Sequence, residues 1–220
     1  MSKTPNTIGS LSQTREEYGA LALLETNMHS DPIEQFKRWF DDYAQSGSTT
    51  HNAMVLSSID EEQHPDSRVV LLKGLENGEF IFFTHYRSVK GLQIEANPFV
   101  ALNFYWAHQA RQVRVRGIVH RIDVALSDQY FHSRPLESQL SSMALEQSME
   151  ISGRDALEDA YHQVFEKYAD SKTVVRPESW GGYAVVPNQI EFWQGRDNRL
   201  HDRIQYIRHE EKWRMQRLAP

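Results

Sequence analysis

The sequence predicts a mainly β protein with flanking helices, built around an antiparallel barrel. Three observations carry that expectation. Runs rich in β-branched and aromatic residues crowd residues 52–122 and return after residue 182. Turn signals separate several of them: His64-Pro65-Asp66, Glu76-Asn77-Gly78 and Asn97-Pro98. Helical periodicity is confined to the flanks and to short interruptions, which favours short strand-to-strand connections over alternating βαβ units.

Taken in order, residues 1–30 read as a polar, loosely ordered segment with one apolar patch at Leu21, Leu23 and Leu24. Asp31 as cap, Pro32 at the first helical position and Glu34 three residues after the cap announce a helix. Ile33, Phe36, Phe40 and Tyr43 mark its apolar face, and Ser46-Gly47-Ser48 ends it. The predicted strands are Ala53–Ile59, Arg68–Lys73, Glu79–Thr84, Phe99–Trp106 and Gln112–Ile122, with a short helix over Ser88–Ala96. A helix over Leu126–His132 runs up to Pro135, and a longer one over Gly153–Tyr168 carries Ala156, Leu157, Ala160, Tyr161, Val164, Phe165 and Tyr168 at helical spacing. The chain ends in β structure: Gly182–Val186, Ile190–Gln194, Leu200–Arg208 and Lys212–Arg217. With no internal repeat, the expectation is a flexible N-terminal segment (1–30) followed by one domain (31–220).

Composition narrows the function classes. The 220 residues are 40% hydrophobic and 25% charged, as in globular chains. A net charge of −6 argues against a general nucleic-acid binder, whose phosphate contacts need clustered cations. The absence of cysteine removes disulfides, thiolate metal sites and cysteine nucleophiles. No apolar run approaches the ~20 residues of a membrane span, Met1–Ser12 lacks a signal-peptide core, and a cytoplasmic location is expected. The ten histidines form no H-E-x-x-H pattern, so no metal site is expected. Dinucleotide fingerprint, P-loop and G-x-S-x-G elbow are all missing.

Several basic and hydroxyl residues stand out as chemical candidates. Arg68-Val69-Val70-Leu71-Leu72-Lys73 places a cation at each end of an apolar run; the run reads as a strand covered on both faces. Its cations either snorkel to solvent or meet an anion. Arg87, Ser88 and Lys90 stand at a helix start, where basic residues oppose the helix dipole; either a bound anion balances them or the piece is a plain solvated loop. Tyr130, Arg134 and Ser138 are four apart; on one helix they share a face that suits a phosphate monoester or a plain polar stripe. Arg199, His201 and Arg203 alternate, so an extended strand would set all three on one side, against something anionic or against solvent.

The strings RVVLLK (Arg68–Lys73), NFYW (Asn103–Trp106), RQVRVRG (Arg111–Gly117), YFHSRP (Tyr130–Pro135), Gln147-Ser148, Trp180-Gly181-Gly182, EFWQG (Glu191–Gly195), RLHDR (Arg199–Arg203) and RLAP (Arg217–Pro220) occur in an order and spacing that resemble the pyridoxamine/pyridoxine 5'-phosphate oxidases. The resemblance covers about residues 12–220. It implies an FMN-binding split β-barrel, a homodimer whose subunits both line each site, and oxidation of pyridoxamine or pyridoxine 5'-phosphate to pyridoxal 5'-phosphate with O2 reduced to H2O2.

By the same resemblance, cofactor contacts fall on Arg68, Val69, Val70, Leu71, Leu72, Lys73, Phe83, Thr84, Lys90, Gln112, Gln147, Ser148, Trp193 and Arg203. Substrate contacts fall on Lys73, Tyr130, Arg134, Ser138, Arg199 and His201, the last two also as catalytic residues. Arg15 and Tyr18 match an R-x-x-Y element that closes over the substrate. The chain departs from the family at Val89, where many members carry an FMN-contacting Arg, at Phe83, where Tyr is frequent, and at Thr50, where some carry a lid Asp. A related FMN oxidase of a phenazine-type precursor would not need Lys73, Tyr130, Arg134 and Ser138 together. A non-catalytic flavin- or pyridoxal-phosphate-binding protein would not need Arg199 and His201.

Overall fold

The computed structural model describes residues 21–47, 49–168 and 173–220. Arg15 and Tyr18 lie outside the described residues. Helix α1 (Pro32–Ala44) begins where the capping signal places it: the Asp31 carboxylate accepts from the Ile33 N–H at 2.8 Å. Its apolar face enters the mouth of the barrel. The Phe36 ring meets Phe80 and Phe104, each at 5.0 Å, and Trp39 meets Phe192 edge-on at 5.2 Å. Truncating Phe36, which is fully buried, would cost about 3–5 kcal/mol.

Among the described residues the sheet contains nine strands, all paired antiparallel: β1 (Ala53–Ile59), β2 (Pro65–Leu71), β3 (Gly74–Glu76), β4 (Glu79–His85), β5 (Phe99–Trp106), β6 (Arg111–Arg121), β7 (Trp180–Gln194), β8 (Asp202–His209) and β9 (Lys212–Leu218). The order β2-β1-β5-β6-β7-β4-β3 runs along one path, and β8 and β9 extend from β7. Alternation builds the core: Val100, Leu102, Phe104 and Trp106 on β5, and Val113, Val115 and Val119 on β6, all point inward.

Four expectations need correction. The segment expected as a doubly covered strand from Arg68 to Lys73 starts at Pro65 and ends at Leu71, at the edge of the sheet. Val69 is 65% and Leu71 43% exposed, because β1 covers only one flank. The two strands expected over 182–194 are a single strand, β7. Pro187 does not break it, because it sits where the β6 register shifts at Arg116/Gly117, and a Cβ on Gly117 would lie 2.2 Å from the Val186 carbonyl. Tyr130, Arg134 and Ser138 do not share one helix. Helix α3 (Val124–Ser133) stops at Arg134, whose backbone is extended ahead of Pro135, and α4 (Leu136–Ala144) starts anew. Finally, Arg199 is not in β8. Asp197–Arg199 form a 3-10 turn, with Asn198 and Arg199 at φ 56° and 62°, so the alternation expected for Arg199, His201 and Arg203 is broken.

Helix α2 (Val89–Ala96), capped by Ser88, packs at the end of β4; a Cβ on Gly91 would lie 2.1 Å from the Tyr86 carbonyl, so only glycine lets the helix approach. Helices α3, α4 and α5 (Arg154–Tyr168) build a second apolar cluster, with Phe131, Leu140, Val174 and Trp180 at its centre. Arg217 on β9 stitches the chain's early and late parts together. It pairs with both Glu25 carboxylate oxygens (2.7 and 2.8 Å), with Asp202 (2.7 Å) and with the Leu23 carbonyl (2.7 Å). No helix among the described residues is long and apolar enough to cross a membrane.

Candidate active site

A cavity of about 910 Å³ opens between the free flank of β2, the end of β4, the start of α2 and the α3–α4 junction. That volume lies within the range of about 300–1,000 Å³ typical of ligand sites. Ten of the residues assigned to the cofactor line it. Arg68, Val69, Val70, Leu71 and Lys73 come from β2 and its exit; Phe83 and Thr84 from β4; Lys90 from α2; Gln147 and Ser148 from the loop after α4. Tyr130, Arg134 and Ser138 line the same space. Leu72 does not: it is buried in the core, its N–H bound to the Asn52 carbonyl.

The cations here are held by neutral groups. Lys90 Nζ donates to Gln147 Oε1 at 2.8 Å, Ser88 Oγ at 3.2 Å and Thr84 Oγ1 at 3.3 Å. Burial, and after it the charge of Arg68, pushes the Lys90 ammonium down to about 8, against the pull of Asp66. Arg134 donates to Ser142 Oγ (2.8 Å) and the Ser138 carbonyl (2.6 Å), and its guanidinium lies 4.7 Å above the Trp180 ring. Arg68 is the exception: it bonds Ser58 and Gln93 but also pairs with Asp66 at 2.5 Å. Next to these, Ser148 Oγ accepts from the Val89 N–H at the opening of α2.

Phe83, Tyr130 and Trp180 form a parallel aromatic wall; the Phe83 and Tyr130 centroids are 3.8 Å apart and Phe83 and Trp180 5.5 Å. Sequence reasoning missed Trp180 as a wall, Ser142 as the partner of Arg134, and His85. Burial, then Lys90 and Arg134, push the His85 imidazole below its ordinary value, and its Nδ1 is buried without a hydrogen-bond partner. Only the four-residue step from Ser138 hinted at Ser142; Trp180 reaches the site through the β4–β7 pairing, in which it stands opposite His85.

The remaining assigned residues form a second cluster elsewhere. Gln112 on β6 stands opposite Trp193 on β7, and Trp193 opposite Arg203 on β8. The His201 ring lies 4.8 Å from the Trp193 ring. His201 Nδ1 accepts from the Arg196 N–H at 3.1 Å, so in the neutral ring the proton sits on Nε2. Arg203 is aimed by Glu191, which is 3% exposed and 2.8 Å away, while Arg114 approaches the same carboxylate at 3.4 Å. Arg199 sits on the adjoining 3-10 turn. None of these five lines the large cavity.

Residues 40–168 match the family described as pyridoxamine 5'-phosphate oxidase, and residues 180–220 match the pyridoxine 5'-phosphate oxidase C-terminal dimerisation region. A pyridoxine/pyridoxamine 5'-phosphate oxidase of Legionella pneumophila (strain Paris) is 58% identical over 211 residues, covering 96% of this chain and 98% of the relative. The chain belongs to the pyridoxamine 5'-phosphate oxidase family. A further oxidase of that name, from Cupriavidus metallidurans, is 44% identical over 96% of the chain and 99% of its own length. Among solved structures, PhzG from Burkholderia lata 383, in complex with tetrahydrophenazine-1-carboxylic acid, superposes with a TM-score of 0.84 at 25% identity, over 90% of this chain and 98% of that one. A pyridoxamine 5'-phosphate oxidase-related, FMN binding protein from Nostoc punctiforme shares the fold, with a TM-score of 0.70 at 17% identity over 88% of this chain and all of that one. The expected barrel architecture is therefore that of the pyridoxamine 5'-phosphate oxidase family, and membership makes the chain an oxidoreductase of a flavin-using family.

Proposed function

We propose that this protein oxidises pyridoxamine 5'-phosphate or pyridoxine 5'-phosphate to pyridoxal 5'-phosphate with FMN as cofactor, as a homodimer in the cytoplasm. One observation carries the reading: a single cavity is lined by Arg68, Lys73, Lys90, Tyr130, Arg134, Ser138 and Ser148, more cationic and hydroxyl donors than one phosphate group needs. Two phosphorylated molecules lying together would use such a set. The exposed Val69 and Leu71 line the same cavity and supply apolar surface for a flat ring.

The second cluster supports the dimer. Trp180 and Trp193 stand at opposite ends of β7, roughly 40 Å apart at the ~3.3 Å rise of a strand. Within one chain, Arg199 and His201 stand too far off to serve a substrate phosphate bound at Arg134. A second copy, joined through the C-terminal region, brings its own Arg199, His201, Trp193, Gln112 and Arg203 to the cavity. The N-terminal Arg15 and Tyr18 would then close the site over the substrate.

In this reading bound FMN would supply the two-electron redox chemistry between the substrate C4' carbon and O2, with H2O2 as the reduced product. The protein's residues do the rest. Arg68, Lys90, Thr84, Gln147 and Ser148 hold the cofactor phosphate end. Lys73, Tyr130, Arg134 and Ser138 hold the substrate phosphate and so fix C4' against the cofactor ring, where proximity supplies much of the rate. Arg199 and His201 hold and orient the pyridine ring and the C4' substituent. From the amine the overall change consumes O2 and water and releases ammonia and H2O2; from the alcohol it consumes O2 alone.

An oxidase acting on a phenazine-type precursor is the second reading, favoured by the likeness to PhzG. The presence of Lys73, Tyr130, Arg134 and Ser138 together in the cavity speaks against it. The test is peroxide release with pyridoxamine 5'-phosphate by the purified yellow protein. Turnover is expected; a protein that stays colourless with excess FMN, or releases no peroxide, ends the proposal.

A further inference from the structure

Arg176 is partly buried outside the cavity lining, its side chain 9% exposed, and its polar contacts run to two different elements at once. Its Nε pairs with Asp128 on α3 at 2.6 Å. Its Nη1 donates to the Pro177 carbonyl at 3.2 Å and to the carbonyl of Trp180, the first residue of β7. Helix α3 delivers Tyr130 to the cavity and ends at Arg134; Trp180 is the ring on which the Arg134 guanidinium lies. Two neutral contacts assist the same docking: the Gly182 N–H donates to Ser127 Oγ at 3.1 Å, and His132 Nε2 meets the Val174 carbonyl at 2.9 Å. Arg176 and Asp128 make the one ion pair among these contacts, and Arg176 is the member that also reaches the Trp180 carbonyl.

The distance at which Arg134 sits from the opposite side of the cavity is therefore set by a unit of three parts: the helix that carries it, the ring beneath it, and the guanidinium that ties them. We propose that Arg176 is a positioning residue for the substrate-phosphate site, locking α3 to the entry of β7 so that Arg134 stays aimed into the cavity. This rests on the reading that Arg134 holds the substrate phosphate. A fixed bidentate cation loses grip steeply when its base shifts, since displacement by about 1 Å can cost up to a hundredfold in rate.

The test is a double-mutant cycle in the flavin-loaded enzyme, read as kcat/KM for pyridoxine 5'-phosphate. Arg176→Ala is expected to lower kcat/KM about tenfold, through KM, with kcat and FMN affinity within about twofold. In an Arg134→Ala background the same change is expected to have under about twofold effect, because what Arg176 positions is already gone. Arg176→Lys keeps the ion pair but loses the second donor direction, and is expected to lie between, at about threefold; it carries the same cycle if the alanine variant does not fold. A role in stability alone predicts the opposite pattern: lower Tm and looser FMN, with the Arg176 effect undiminished in the Arg134→Ala background. That result overturns the proposal, as does unchanged KM in both Arg176 variants. If Arg134→Ala alone leaves kcat/KM intact, it is the phosphate reading that fails, whatever Arg176 does.

Discussion

The cations of the large cavity and those of the β8–β9 ribbon are of the same kind but are kept in opposite ways. In the cavity, Lys90 and Arg134 are held by hydroxyls, amides, a carbonyl and an aromatic face. On the ribbon, Arg203 meets buried Glu191, and Arg217 meets Glu25 and Asp202. A half-buried cation without a carboxylate carries an unmet desolvation cost that an incoming anion relieves; a cation already paired gains little from one. The cavity is thus prepared for anions in a way the ribbon is not. Arg203, assigned to the cofactor by resemblance, offers direction more than charge. Arg68, paired with Asp66, falls between the two.

Substitutions can break or sharpen this contrast. The largest effect is expected for Arg134→Ala: loss of a charge-assisted, bidentate contact worth about 1.5–3 kcal/mol should raise KM for the phosphorylated substrate ten- to a hundredfold in steady-state assays, and an unchanged KM would remove Arg134 from the phosphate site. Next comes Lys90→Met, expected to weaken FMN binding about tenfold at pH 7 in a fluorescence titration. The wild-type pH profile sharpens the point. Lys90 titrates at about 8 in the free protein, and a bound phosphate raises that value. Below pH 8 the ammonium is already present; above it, binding must take up a proton, so FMN affinity falls as pH rises, by up to about tenfold per unit. Lys90→Met should flatten that fall, and a profile unaltered by the substitution would locate the titration elsewhere.

Arg203→Ala should act less on FMN affinity than Lys90→Met, by about threefold, but more on folding. It leaves Glu191 buried beside Arg114 alone, at a cost of about 2 kcal/mol, or a Tm lower by roughly 4–8 °C. Adding Glu191→Gln should recover part of that Tm; no recovery would mean the carboxylate is not the cause. The smallest change is expected for Val89→Arg, which returns a cation to the opening of α2 beside Ser148. A two- to threefold gain in FMN affinity is expected, and a loss would show that Arg87 or Lys90 already fills that role.

Much of the scaffold was legible. Strands β1 and β5 and the Asp31–Pro32 start of α1 follow from alternation and capping, which are local. What escaped is tertiary. Pro187 reads as a breaker until its position opposite the β6 register shift is known. The turn at Asn198 and Arg199 depends on two left-handed residues that no pattern announces. The site behaved likewise: its cations were visible as cations lacking an evident partner, and the resemblance assigned their roles. Ser142, Trp180 and Arg176 are ordinary residues in the sequence and become a support for Arg134 only when α3 is laid against β7.

The Arg217 stitch reaches beyond β9. It holds the Leu23 backbone and Glu25 against Asp202, immediately beside His201. Trimming the chain just ahead of Arg217 would remove little mass from the barrel, yet it would untie Leu23 and Glu25 from Asp202. A truncation at the C-terminal end is, for this protein, also an alteration of the segment around Leu23 and Glu25.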